Sequence, residues 1–382
     1  MALPRIRVHK NCIKPIQQGH PWLYKGSLLS SVSVGSPMLL VDEKNKVLAF
    51  ALADRGDIEA RILSKTPDKI PDLLRKRILV AQSLRNKVVP PNTTAYRLIN
   101  GAGDGLPGIV VDMYNDLAVV KIYSASWEPH LDAIVDVLDT LPNVNDVYRR
   151  FGVRNVDGKK GGMLLCGRPI KDLMIIQEHG LRFLVRPKIG QKTGLFLDQR
   201  EHRAFIGSKA KDEQVVNLFS YTGGFSVYAA VGGAKRVYSV DISQNALDDA
   251  KENFRLNGLS PDQHAFIATD VFQWKADLHA GIVICDPPSL SHKKKSDTAA
   301  MQSYTRLAGH SASMVPRGGL LALASCSARL NQKQWESASV QGIRKHGRWS
   351  WLWRANEPPD HPVSVHHPEG RYLKFSLLFR QR

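Results

Sequence analysis

From residue 171 onward the sequence alternates apolar runs with amphipathic stretches, and the apolar runs end on small or acidic residues. VVNLFSYTGGFSVYAAVGG reads as a strand, a glycine turn and a helix, and RVYSVDIS as a strand closing on an acid. ALDDAKENFRLNG is a helix stopped by Asn257-Gly258. LRFLVRP, FIATDVF, GIVICDPP and LLALASCS are further strands, residues 299–314 suit a helix before the Pro316–Gly319 turn, and YLKFSLLFR is a late strand. Strand–helix units repeated in this way wind into a parallel sheet covered on both faces. The expected fold class is therefore α/β, with a Rossmann-like, doubly wound domain over residues 171–382.

The front of the chain has a different character. Residues 1–67 carry short apolar runs, PMLLVD, VLAFALAD and ARILSK, the first two separated by the polar EKNK, and read as a small β-rich domain. Residues 68–170 read as an α/β middle domain. Ile70, Leu73, Leu74, Ile78, Leu79 and Leu84 recur at helical spacing until Pro90-Pro91. A Gly-rich turn, two strands and a second helix, HLDAIVDVLDTL, follow.

Charge narrows the class of partner. The formal net charge is +18, but residues 171–289 balance at zero while residues 290–382 carry +10. Residues 1–30 hold five basic side chains and no acidic one. Two basic blocks around a neutral one fit a phosphate backbone better than a uniformly basic surface. The four cysteines, Cys12, Cys166, Cys285 and Cys326, lie far apart, so neither a zinc site nor a disulfide framework is expected. No uninterrupted apolar stretch is long enough for a membrane span, and no signal-like start is present. A cytoplasmic protein without a metal or a membrane partner is expected.

Ligands of an open α/β sheet gather outside the carboxyl ends of its strands, so the residues that follow each strand carry the chemistry. Ser220-Tyr221-Thr222-Gly223-Gly224 lets backbone approach a ligand at a helix start; a tight turn alone would use the same glycines. Asp241 ends the next strand and can accept from both hydroxyls of a ribose, or can cap the next helix. Asp270 can accept from an adenine amino group while Val271 packs on the ring; a turn aspartate is the plain alternative. Asp286-Pro287-Pro288 is a stiff turn holding an acid at the sheet edge, followed by the phosphate-friendly Lys293-Lys294-Lys295. Cys326 closes the LLALA strand, either as a small buried hydrophobe or as a nucleophile. Acids placed for ribose and adenine, with no G-x-G-x-x-G phosphate clamp, favour S-adenosylmethionine over a dinucleotide.

These motifs resemble those of the bacterial 23S rRNA 5-methylcytosine methyltransferases over essentially the whole chain. The resemblance is carried by GHPWLY at 19–24, NGAGDGLPGIVVD at 100–112, GQKTGLFLDQREHR at 190–203, NLFSYTGGFSVYAA at 217–230, VDIS at 240–243, CDPPS at 285–289, ASCS at 324–327 and DHPVSVHHPEGRYLKF at 360–375. It implies an RNA-binding PUA domain, an α/β middle domain and a class I methyltransferase domain. It also implies a hairpin-like lip at residues 190–200, lined by Asp198 and Gln199. Cofactor contacts are then expected from Asp198, Asn217, Ser220, Tyr221, Thr222, Gly223, Asp241, Ile242, Asp270, Val271 and Asp286.

In this family the residue matching Cys326 is the nucleophile. A thiolate on carbon 6 of cytosine makes carbon 5 enamine-like, and Asp286 can share a proton with ring nitrogen 3. The base must be unstacked to be reached. Many such enzymes have a second cysteine after the first proline of the Asp-Pro motif; Pro288 stands there, and Cys285, before the acid, is expected to be structural. No base for the carbon 5 proton is assigned. The expected partner is RNA, 23S rRNA in particular, with a homodimer an open option. Competing readings are a guanine-nitrogen methyltransferase, which needs no thiol, and a non-catalytic RNA-binding assembly factor. A nicotinamide oxidoreductase fits least.

Overall fold

The computed structural model of the protein describes residues 3–153, 156–275, 277–290 and 297–381. The lysine run 293–295 lies outside the described residues. The chain forms two compact units. One comprises Met1–Ile176, Val185–Leu197 and Pro359–Gly370, and the other Gln177–Leu184, Asp198–Pro358 and Arg371–Arg382.

The first unit holds two five-stranded sheets. In one, Arg5–Arg7, Pro37–Val41, Val47–Ala53, Ile58–Ser64 and Trp22–Tyr24 are neighbours in that order. A helix, Lys10–Gln17, which the strand pattern did not suggest, buries Cys12 and Ile16 against this sheet's core. The basic side chains of the first thirty residues, Arg5, Arg7, Lys10, Lys14 and Lys25, are all exposed. In the second sheet the order is Gly162–Cys166, Asp146–Arg150, Leu117–Ile122, Ile109–Tyr114 and Ala95–Asn100. The expected amphipathic helix runs Ile70–Val88 and buries Leu73, Leu74 and Ile78, but not Leu79, which stays exposed. One apolar cluster contains these leucines, the second sheet, and Phe50, Leu52 and Leu63 of the first.

Two distant segments of the chain are tied into this unit. Thr193 Oγ1 donates to Asp112 Oδ2 at 2.5 Å, and the Tyr114 hydroxyl accepts from Leu195 N at 3.2 Å. Asp360 Oδ2 accepts from Arg97 N at 3.0 Å, and its carbonyl from Arg85 at 2.8 Å. Gly103 is required here, because a Cβ on it would lie 1.7 Å from the Pro362 carbonyl oxygen.

The second unit is built on a seven-stranded sheet. In chain order it contains α1 (Arg200–Gly207), β1 (Gln214–Leu218), α2 (Gly224–Val231), β2 (Arg236–Asp241), α3 (Gln244–Leu256), β3 (Ala265–Ala268), β4 (Ile282–Cys285), α4 (Asp297–Ser313), β5 (Leu320–Ser325), α5 (Gln332–Ile343), β6 (Trp349–Ala355) and β7 (Lys374–Arg380). The strand order is β3-β2-β1-β4-β5-β7-β6. The first five strands are parallel, as expected of a Rossmann-like sheet. β7 departs from the all-parallel expectation: it runs antiparallel to both β5 and β6. β6 and α5 had no clear signal, since WSWLWRA alternates aromatic with polar residues outside the βα rhythm. Among the described residues no helix is long and apolar enough to cross a membrane.

Candidate active site

The strand order reverses between β1 and β4, the switch point outside whose carboxyl ends an open α/β sheet has the crevice that receives its ligands. Five chain segments end at that edge: the loops after β1, β2, β3, β4 and β5. Because β7 is antiparallel, its first residue joins them, Lys374 pairing with Ser325 at the end of β5.

The loop after β1 is held in costly backbone. Phe219 and Tyr221 have φ of 60° and 47°, and Gly223 has φ of 76°. Left-handed conformations at two non-glycine residues in one short loop cost energy and persist where surroundings impose them. Here Asp241 imposes one: its Oδ2 accepts from Tyr221 N at 2.8 Å and its Oδ1 from Ser243 N at 2.9 Å. Gly223 also packs closely, a Cβ there falling 2.9 Å from Ala250 Cβ. Behind the loop, Arg203 is fully buried and pairs with Glu178 through two bonds of 2.8 and 2.5 Å. Its side chain backs Gly224, whose Cβ would lie 2.9 Å from Arg203 Cδ.

Not every expected residue faces the crevice. Asn217 is buried and donates to Ser226 Oγ at 2.9 Å, tying β1 to α2 beneath the loop. Val271 is 2% exposed and packed in the core, so what it can offer a ligand is backbone, not its side chain. Asp270 Oδ1 accepts from Phe272 N at 2.9 Å, which shapes its own turn and leaves the carboxylate half-exposed. Ile242 is 75% exposed beside Asp241. Residues 186–199 form turns and a 3-10 helix, Leu197–Gln199, instead of a strand hairpin, because Pro187, Gly190 and Gly194 interrupt any ladder.

On the other side of the switch point stand Asp286, after β4, and Cys326, after β5. Asp286, partly exposed after β4, accepts from Gln199 Nε2 at 3.0 Å. Gln199 Oε1 in turn lies 2.5 Å from His202 Nδ1, which donates to it when the tautomer carries the proton there. Burial holds His202 down to about 4, so it is neutral near pH 7, stacked on Phe375 with ring centroids 4.2 Å apart. Cys326 is partly exposed at the end of β5, whereas Cys285 is 2% exposed within the core and burial pushes its thiol up to about 12. Ser325 Oγ donates to the Tyr304 hydroxyl at 2.8 Å and steadies the turn into Cys326.

Comparison with known proteins accounts for this arrangement. The profile of the S-adenosylmethionine-dependent methyltransferase family matches residues 131–370. This chain belongs to that family. A PUA-like domain profile matches residues 6–65 of the methyltransferase. A ribosomal RNA large subunit methyltransferase of Deinococcus radiodurans is 36% identical, the match covering 98% of this chain and 97% of that one. Ribosomal RNA large subunit methyltransferase I of Cronobacter sakazakii is 33% identical over 97% and 98%. A crystal structure described as a methyltransferase complexed with SAH superposes with a TM-score of 0.89 at 25% identity, covering 98% and 100% of the two chains.

The residues at the edge suit the cofactor of this methyltransferase. Ser220 Oγ is buried and has no hydrogen-bond partner among the described residues, a donor awaiting an acceptor. With Thr222, Gly223 and the Asp241 and Asp270 carboxylates, it can hold an adenosine and its amino-acid tail. Sequence reading did not single out His202, Tyr304, Tyr372 or Lys374. A signal existed for the last, a lone cation at the head of the apolar strand KFSLLFR.

Proposed function

We propose that this methyltransferase acts on large-subunit ribosomal RNA and makes 5-methylcytosine in 23S rRNA through a covalent adduct on Cys326. The names of the two relatives support the RNA class, as do the PUA-like match and the exposed cations of the first thirty residues. The observation that carries the cytosine reading is the contrast between two thiols. Cys285 is sealed in the core, while Cys326 meets solvent at the edge where the reversed sheet opens.

Carbon 5 of cytosine is too weak a nucleophile to react unaided. The Cys326 thiolate adds to carbon 6, forming the S–C6 bond and placing the ring electrons on carbon 5. Asp286 stands to supply a hydrogen bond or proton at nitrogen 3 as charge develops there. Gln199 keeps that carboxylate from turning away. S-adenosylmethionine, when bound, would supply the electrophilic methyl group that bonds to carbon 5, the sulfonium–methyl bond breaking to leave S-adenosylhomocysteine. Loss of the carbon 5 proton to a base then expels the thiolate, breaking the S–C6 bond and restoring aromaticity.

The test is base-resolved mass spectrometry of 23S rRNA from cells with and without the protein, repeated with Cys326→Ala. Appearance of 5-methylcytosine that depends on Cys326 is expected. RNA bearing 5-fluorocytosine, which lacks a removable proton at carbon 5, should trap a protein–RNA adduct through the same residue. A methylated guanine that survives Cys326→Ala would replace this reading with the guanine-nitrogen one.

A further inference from the structure

Lys374 opens β7 opposite Ser325 and is 4% exposed. Lysine is almost never so buried unless its charge is paired. Yet among the described residues no carboxylate lies within ion-pair distance of its Nζ. Two of its N–H groups go to carbonyls: that of Ser327 at 2.8 Å and that of Tyr372 at 3.0 Å. Glu357, whose charge acts on Lys374, directs Oε1 to the backbone N–H groups of Tyr372 and Leu373, at 2.6 and 2.8 Å. The ammonium therefore sits against the carbonyl of the residue that follows Cys326, with one donor unspent among the described residues.

We propose that Lys374 is a positioning residue for the Cys326 nucleophile, its ammonium locking the Ser325-Cys326-Ser327 turn and supplying the counter-charge that lets the thiol ionise. This rests on the adduct reading given above. Asp286 after β4 is a carboxyl group and offers no positive charge, and the Tyr304 phenol of α4 is held protonated by burial, with Cys326, Asp286 and Cys285 all acting on it. Burial lowers Lys374, and negative charge on Glu357 and on Cys326 raises it again. A thiolate and this ammonium thus stabilise each other. A neighbouring cation is what a nucleophilic cysteine needs to be ionised near neutral pH, and the Lys374 ammonium is bonded to the turn that carries Cys326.

The experiment is the pH profile of iodoacetamide alkylation at Cys326, read by peptide mass spectrometry on the full chain. Cys166, which belongs to the first unit, serves as the internal control. Lys374→Met should raise the apparent titration midpoint of Cys326 and slow its alkylation at neutral pH about tenfold, one pKa unit being tenfold in thiolate. Lys374→Arg should restore most of the reactivity, and Cys166 should not change. Retained binding of S-adenosylhomocysteine shows that a variant is folded; if Lys374→Met is not, Lys374→Gln is read in the same way. An unshifted Cys326 profile in a folded, uncharged variant overturns the proposal. Persistence of methyl transfer in Cys326→Ala overturns the adduct reading instead, and is scored on a different variant and by a different measurement.

Discussion

The Tyr372 hydroxyl donates to Asp198 Oδ2 at 2.6 Å, joining positions 174 residues apart. Each stands where the chain re-enters the second unit after a segment anchored in the first. Asp198 is followed by Gln199, which holds Asp286, and Tyr372 is followed two residues later by Lys374. One hydrogen bond thus joins the support of Asp286 to that of the Cys326 turn. Tyr372→Phe removes a bond to a charged acceptor, a loss of about 1.5–3 kcal/mol. Denaturant unfolding should show that loss, and, on the proposed function, methyl transfer should fall more than cofactor affinity does, because the displaced groups support Asp286 and Cys326.

His202 makes stability depend on pH. Its folded pKa, about 4, lies below the ordinary imidazole value of 6.5, so between those limits the unfolded chain binds the extra proton. The contribution is fully present above about pH 6.5 and is lost as pH falls toward 4, amounting to about 3 kcal/mol at most. His202→Gln should flatten the stability profile across that window, as measured by urea unfolding at a series of pH values.

Asp241 holds the loop after β1, and the proposed reading also gives it the ribose of the cofactor. An asparagine would present an N–H₂ group to one of two backbone donors that now face carboxylate oxygens. Asp241→Asn should weaken S-adenosylhomocysteine binding by about 1.4–3 kcal/mol, tenfold or more in Kd. Calorimetric titration measures it, and unaltered affinity would show that the carboxylate supports only the loop.

The Glu178–Arg203 pair is buried on both sides. Removing one partner leaves the other charge without compensation, which costs about 3–5 kcal/mol. Glu178→Gln should therefore lower Tm markedly and loosen the loop that Arg203 backs at Gly224, whereas replacing both residues with apolar ones of similar size should recover much of the stability. Thermal unfolding of the single and double variants separates the two outcomes.

Much of the second unit was legible because the signals are local. Strand β1, the glycine turn and α2 follow each other within about twenty residues, so spacing alone placed the turn and Asp241 on one edge. The buried roles of Asn217 and Val271 were not legible, since polar and small apolar residues after a strand look alike whether they face a crevice or a core. The excursions at 185–197 and 359–370 were equally hidden: their partners, Asp112, Tyr114, Arg85 and Arg97, are scores of residues away.

Sequence alone determined the alternation of βα units, the acids at the strand ends and the cationic front, all properties of periodicity and composition within short windows. Only the tertiary structure decided that β7 turns antiparallel, because strand direction depends on which edge remains free after the parallel strands have paired. That reversal brings the head of β7 to the carboxyl edge and sets Lys374 beside the Cys326 turn, a juxtaposition of residues 48 positions apart that no local pattern encodes.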